Sequence, residues 1–167
     1  PKEVYRAPEA NGPIFENLID STLSFSALKI FYRMPYPDRE VRSTEEFYKD
    51  LYIRDILANV MTERMKEQIR SGKEAPKSAV MVNYSEAKDY YVDLYTILGR
   101  KDARMIDLID FYAQNEKSMI EYGISYDELE TSKALVKRRY HLERPKSEAS
   151  LTNEDFVGVC HNNFVSG

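Results

Sequence analysis

Tryptophan is absent from this 167-residue sequence, cysteine occurs once and histidine twice. A lone cysteine, Cys160, forms no internal disulfide, so the chain is not a disulfide-stapled scaffold. Glycine is scarce as well. Most of the six glycines fall at places that read as turns and helix ends, leaving none for a phosphate-cradling loop. No G-x-S-x-G and no nucleotide fingerprint occurs. No apolar run approaches the roughly 20 residues needed to span a bilayer. Positive excess is missing too: a net charge of −4 gives no general attraction to nucleic acid or anionic membrane.

Hydrophobic residues at 43% and charged residues at 31% are the proportions of a soluble globular domain, and the length suits one domain with a substantial core. Tyrosine is abundant at thirteen copies, mostly on candidate strands and helices, where the ring packs and the hydroxyl reaches the surface. Residues 1–13, rich in proline and without a period, read as a linker, and residues 14–167 as a single domain. The chain opens on Pro1 without a signal-like segment and closes on N-N-F-V-S-G, which reads as an excised piece of a larger protein.

Taken in order, Ile14–Asp20 and Leu23–Arg33 read as two strands joined by a turn at Asp20, Ser21 and Thr22. The second strand is apolar on both sides, as where helices cover one face. Ser43 and Glu46 stand at capping-box spacing before the longest helical pattern, Thr44–Ser71. Its Ile53, Ile56, Leu57, Val60 and Met61 are expected to lie against a sheet. If a neighbouring unit normally covers this helix, Met65 and Ile69 should be exposed. Lys77–Tyr84 and Asp89–Leu98 form a hairpin candidate with period-2 alternation. A helix capped by Asp102 follows, with Met105, Ile106, Leu108, Ile109, Tyr112 and Met119 facing inward. Gly123 ends it in the left-handed region. Ser125 and Glu128 then form a second capping box, opening a helix with a Leu129, Ser132, Val136, Arg139/Tyr140, Glu143 stripe that Pro145 stops. Phe156, Val157, Val159, Cys160 and Phe164 suggest a last helix, capped by Ser147 or Thr152. The order β-β-α-β-β-α-α-α implies an α+β two-layer sandwich, an antiparallel sheet with helices on one face.

The stretch from Tyr122 to Ser150 carries a resemblance. Gly123, Ile124, Ser125, Glu128, Leu129, Ser132 and Lys133, then Glu143, Arg144, Lys146, Ser147, Glu148 and Ala149, fit G-[FI]-[ST]-x-x-E-L-x-x-[AS]-K and E-R-x-K-[ST]-E-[AS]. In their order and spacing they resemble zinc peptidases of the pitrilysin/insulinase type, with the mitochondrial processing peptidases. Tyr32-Arg33-Met34-Pro35 and the helical segment Leu57 to Arg64 also match, so the resemblance covers most of residues 14–166. It implies a LuxS/processing-peptidase-type unit, a second, non-catalytic one. Such a unit would shape the chamber in which two halves close on an unfolded peptide. Its partners would be the other domains of a parent chain and a peptide substrate, with zinc in another domain. Bacterial relatives of this layout are often exported, so a periplasmic or otherwise exported setting is the expectation. An inert family member, acting as a structural or protein-binding module, is the alternative. An unrelated α+β adaptor domain is a third.

Active members of that family carry H-x-x-E-H, two ligands and a general base on one helix, with a distal acidic residue. This chain has only His141 and His161, twenty residues apart and without that motif. His141, near a helix end, reads as a cation at the dipole or a polar packing group. His161 adjoins Cys160, and neighbours on a helix point in different directions. No residue is therefore given a catalytic, cofactor-binding or metal role, and Cys160 reads as a small buried or half-buried residue. Asp127, Glu128 and Glu130 are explained by capping. Lys137, Arg138 and Arg139, with Arg144 and Lys146, are the one basic cluster. They read either as a solvated helix end or as a wall contact for an acidic or carbonyl-rich peptide.

Overall fold

A computed structural model describes residues 12–19, 22–35, 37–72, 75–86, 90–101 and 103–142. Among them the elements run β1 (Ala27–Pro35), α1 (Arg39–Arg42), α2 (Glu45–Arg70), β2 (Pro76–Glu86), β3 (Tyr90–Gly99), α3 (Met105–Tyr122) and α4 (Tyr126–Leu142). The architecture is the expected α+β sandwich, an antiparallel sheet with its helices on one face. The sheet order is β1-β3-β2. The last helix expected beyond Pro145 and the cap at Asp102 lie outside the described residues, as does most of the 1–13 linker.

β3 is the central strand, pairing with β1 from Ala27↔Leu98 to Pro35↔Tyr90 and with β2 from Pro76↔Gly99 to Glu86↔Tyr90. Period-2 alternation decides its faces. Tyr95 and Ile97 join Ala79 and Met81 of β2 under Ala58, Met61 and Met65 of α2 and Leu108 and Phe111 of α3. At the end of β3 a Cβ on Gly99 would lie 2.8 Å from the Ala103 Cβ. Only glycine lets the chain turn so tightly into α3.

Helix α2 serves two surfaces, which corrects part of the expectation. Met61 and Leu57 do face the sheet. Ile56 and Val60 instead form a second cluster with Val136 of α4, alongside Tyr52 and Leu129. Ile53 is 61% exposed. At 100° per residue it stands roughly 80–140° around the helix from Met61, Met65 and Ala58, away from the sheet. Met65 is fully buried and Ile69 packs on the same core, so the helix's C-terminal end is covered within this domain.

The caps are local and mostly legible. α2 starts one residue later than expected, with Thr44 Oγ1 accepting from the Phe47 amide at 3.3 Å. Ser43 instead donates to the Glu40 carbonyl. Gly123 closes α3 at φ 64°, ψ −152°. The Ser125–Glu128 box is formed in both directions, the Ser125 amide donating to Glu128 Oε2 at 2.8 Å and the Glu128 amide to Ser125 Oγ at 3.3 Å.

Two expectations near β1 are changed. Residues 14–19 have no ladder partner, and Ile14, Phe15, Leu18 and Ile19 are 72–91% exposed. In α3 Leu108, Phe111 and Asn115 are buried, and Tyr112 and Met119 pack on the same core as expected. Met105, Ile106 and Ile109 are exposed: Ile106 lies on the side of α3 opposite Phe111 and Asn115, and Met105 and Ile109 lie past β1, where the described sheet ends.

Candidate functional site

Polar groups gather where the N-terminal half of α2 crosses β2 and β3. Asp93 occupies an inward position in β3, two residues before the core residue Tyr95, and a carboxylate there needs a partner. Arg54 of α2 supplies it, Nη2 donating to Asp93 Oδ1 at 2.6 Å. Its guanidinium also lies 5.6 Å from the Tyr91 ring centroid and reaches Met34 Sδ. Asn83 stands opposite Asp93 in the ladder. Its carboxamide oxygen and nitrogen are both buried without a protein hydrogen-bond partner.

Two cavities flank this pair. One, of about 210 Å³, is lined by Leu51, Arg54, Asp55, Asn83, Tyr84 and Tyr140. The other, of about 410 Å³, lies between Met34, Pro37, Phe47 and Asp50 and shares Arg54 and Tyr91 with the first. Charge-paired arginine, carboxamide and tyrosine hydroxyls can hold amide and carbonyl groups, but they include no nucleophile beside a base. Asp93 and Asn83 were recognisable in the sequence as polar residues at inward strand positions. Arg54 had no such mark.

A second polar junction ties α2 to the α3–α4 turn. Arg64 donates Nη2 to the Gly123 carbonyl at 2.6 Å and to Glu128 Oε2 at 2.8 Å, with Nε on the other carboxylate oxygen. Arg64 thereby lowers the Glu128 pKa to about 2, helped by the Ser125 amide and hydroxyl and opposed by partial burial. Capping alone therefore does not account for Glu128. Tyr95 donates to Glu116 at 2.6 Å, and its hydroxyl pKa is raised by burial first and by that carboxylate second.

Lys137, Arg138 and Arg139 point to solvent from α4, which packs on α2 and not on the sheet. The helix layer separates them from the helix-free face of the sheet, so the two do not form one wall. His141 falls in the last turn of α4. Cys160, His161, Arg144 and Lys146 lie outside the described residues. Among the described residues no three His, Cys, Asp or Glu side chains stand close enough to hold a metal. The better-placed carboxylates, Asp93, Glu116 and Glu128, are bound to Arg54, Tyr95 and Arg64. Among the described residues no helix is long and apolar enough to cross a membrane.

The fold is thus an α+β unit of a kind also found within a larger protease. The chain is similar to the periplasmic protease PqqL from Escherichia coli, with a TM-score of 0.68, 16% identity and coverage of 85% of this chain and 15% of that one. The first half of the same protein gives a TM-score of 0.63 at 16% identity, covering 85% and 30%. At this identity the likeness is one of fold, and the chain spans less than a third of either structure. No family model and no curated protein sequence matches.

Proposed function

We propose that this chain is a non-catalytic, chamber-forming unit of a zinc-dependent metallopeptidase of the pitrilysin/insulinase type, with the zinc site in another domain. The observation that carries this reading is the fold shared with part of a protease, together with a sequence that has no H-x-x-E-H. The Gly123–Lys133 segment adds to it, since the resemblance there begins at a helix junction now seen to be built on Gly123, Ser125 and Glu128. In this role the chain binds and confines peptide without cleaving it. The helix-free sheet face is the proposed wall, with Phe31, Val80, Val82 and Tyr84 exposed on it. A periplasmic or otherwise exported setting belongs to the same proposal, supported by the location of the similar protease.

The test uses the purified chain, a fluorescent unstructured peptide and zinc. Weak peptide binding without cleavage is expected, weakened further by Val82→Asp on the proposed wall. Zinc should not remain at one equivalent after dialysis against a mild chelator. Peptide cleavage, or one tightly held zinc, overturns the reading. An inert parent would declare itself differently: the full polypeptide would lack H-x-x-E-H in every unit.

A further inference from the structure

The outer edge of β1 lies beneath an uncovered flank of α3. Met105, Ile109, Tyr112 and Glu116 follow one another at i, i+4, i+7 and i+11, so they share one side of that helix. Tyr112 and Glu116 use this side to meet the sheet, through the Tyr32 and Tyr95 hydroxyls. Asn115, on the other side, bonds Gln68 of α2. The flank of Met105 and Ile109 therefore faces away from α2, past β1. There the two side chains are 41% and 42% exposed, because among the described residues no strand continues the sheet beneath them.

The backbone of β1 faces the same way. The Gly99 amide donates to the Ser26 carbonyl at 2.7 Å, and antiparallel ladders alternate. Even-numbered residues of β1 thus bond β3, while Ala27, Lys29 and Phe31 turn their N–H and C=O groups outward. A strand added at this edge would extend the core already formed by Leu28 and Ile30 under α3.

We propose that the outer edge of β1 is a strand-docking site and that residues 14–19 of this chain occupy it as an antiparallel fourth strand. Four large apolar side chains at 72–91% exposure within six residues form a segment with strong cause to leave water. In the register that places Glu16 beside Lys29, opposite charges meet across the pair. Phe15 and Ile19 then turn toward the Met105 and Ile109 flank, while Ile14 and Leu18 flank Glu16 on the helix-free face. Six residues separate the two segments in the sequence, close to ordinary hairpin loop lengths.

The test is amide hydrogen exchange on the full chain, read at residues 14–19, Lys29 and Phe31. Exchange at least about tenfold slower than in an unstructured chain is expected at all three places. Glu16→Pro, which removes the amide that this register aims at Lys29, should abolish the protection at Lys29 and Phe31 while α2 stays protected. A synthetic peptide of residues 12–19 added to that variant should restore it. Glu16→Lys serves as a milder variant and should speed exchange at Lys29. Unprotected 14–19 with unprotected Lys29 and Phe31 overturns the proposal. So does protection that survives Glu16→Pro, or protection at Lys29 and Phe31 that vanishes on dilution while 14–19 exchanges freely, which would make a second copy the occupant.

Discussion

At the β2 edge of the sheet, α2 closes the ladder: Thr62 Oγ1 donates to the Met81 carbonyl at 3.2 Å and accepts from the Met81 amide at 2.9 Å. At the β1 edge no helix side chain bonds the outward groups of Lys29 or Phe31 among the contacts described, and α3 overhangs with Met105 and Ile109 exposed. One side of this small domain satisfies its edge with its own helix. The other is built to receive a further strand. Edge strands with free ladder groups invite pairing, so the difference separates a self-sufficient half from one that looks outward.

The largest effect should come from the closed half. Met65 is fully buried among Met61, Met81 and Phe111, and Met65→Ala is expected to cost about 2–5 kcal/mol in a two-state melt. Ile109→Ala on the open half should cost under about 1 kcal/mol, since little packing is lost. Comparable losses at the two positions would dissolve the contrast.

Arg64→Ala should cost roughly 2–4 kcal/mol, between the values of exposed and buried pairs, because Glu128 and the Gly123 carbonyl lose their partner together. The pH dependence has a definite sign. The folded-state pKa of Glu128 is lowered from 4.5 to about 2, so its contribution is complete above about pH 4.5. It drains away as pH falls toward 2. Thermal melts between pH 6 and 2.5 should converge for wild type and Arg64→Ala; a constant gap would assign Arg64 a role independent of Glu128.

Thr62→Val tests the closed edge itself. Removing the hydroxyl leaves the Met81 amide and carbonyl buried beneath α2, at an expected cost of about 1–3 kcal/mol. Gly123→Ala should cost only about 1 kcal/mol. No atom crowds an added Cβ there, so only the positive φ of 64° is opposed. A loss near zero would mean that the α3–α4 turn relaxes freely.

Much of this fold was legible from local signals. Gly123, Ser125 and Glu128 encode the α3–α4 turn within six residues, and the alternation in 90–99 announces β3. Which face of α2 meets which neighbour was not legible. Ile53, Ile56 and Val60 belong to an apolar arc broad enough for two contacts, and the sequence does not say that α4 lies on the back of α2. Nor do Met105 and Ile109 reveal how far a sheet extends. The Arg54–Asp93 pair joins residues 39 positions apart, and only the tertiary fold brings such partners together.

The Ala27↔Leu98 register has a kinetic consequence. β2 and β3 close a short hairpin, while β1 must find β3 across the whole of α2 and that hairpin. Loop closure over such a span is slow relative to local pairing. We therefore expect the β2–β3 hairpin with α2 to form the folding nucleus and β1 to dock late. In a φ-value comparison, Met81→Ala should slow folding, whereas Ile30→Val should chiefly speed unfolding. The half of the sheet that looks outward when folded would then also be the last to arrive and the first to leave.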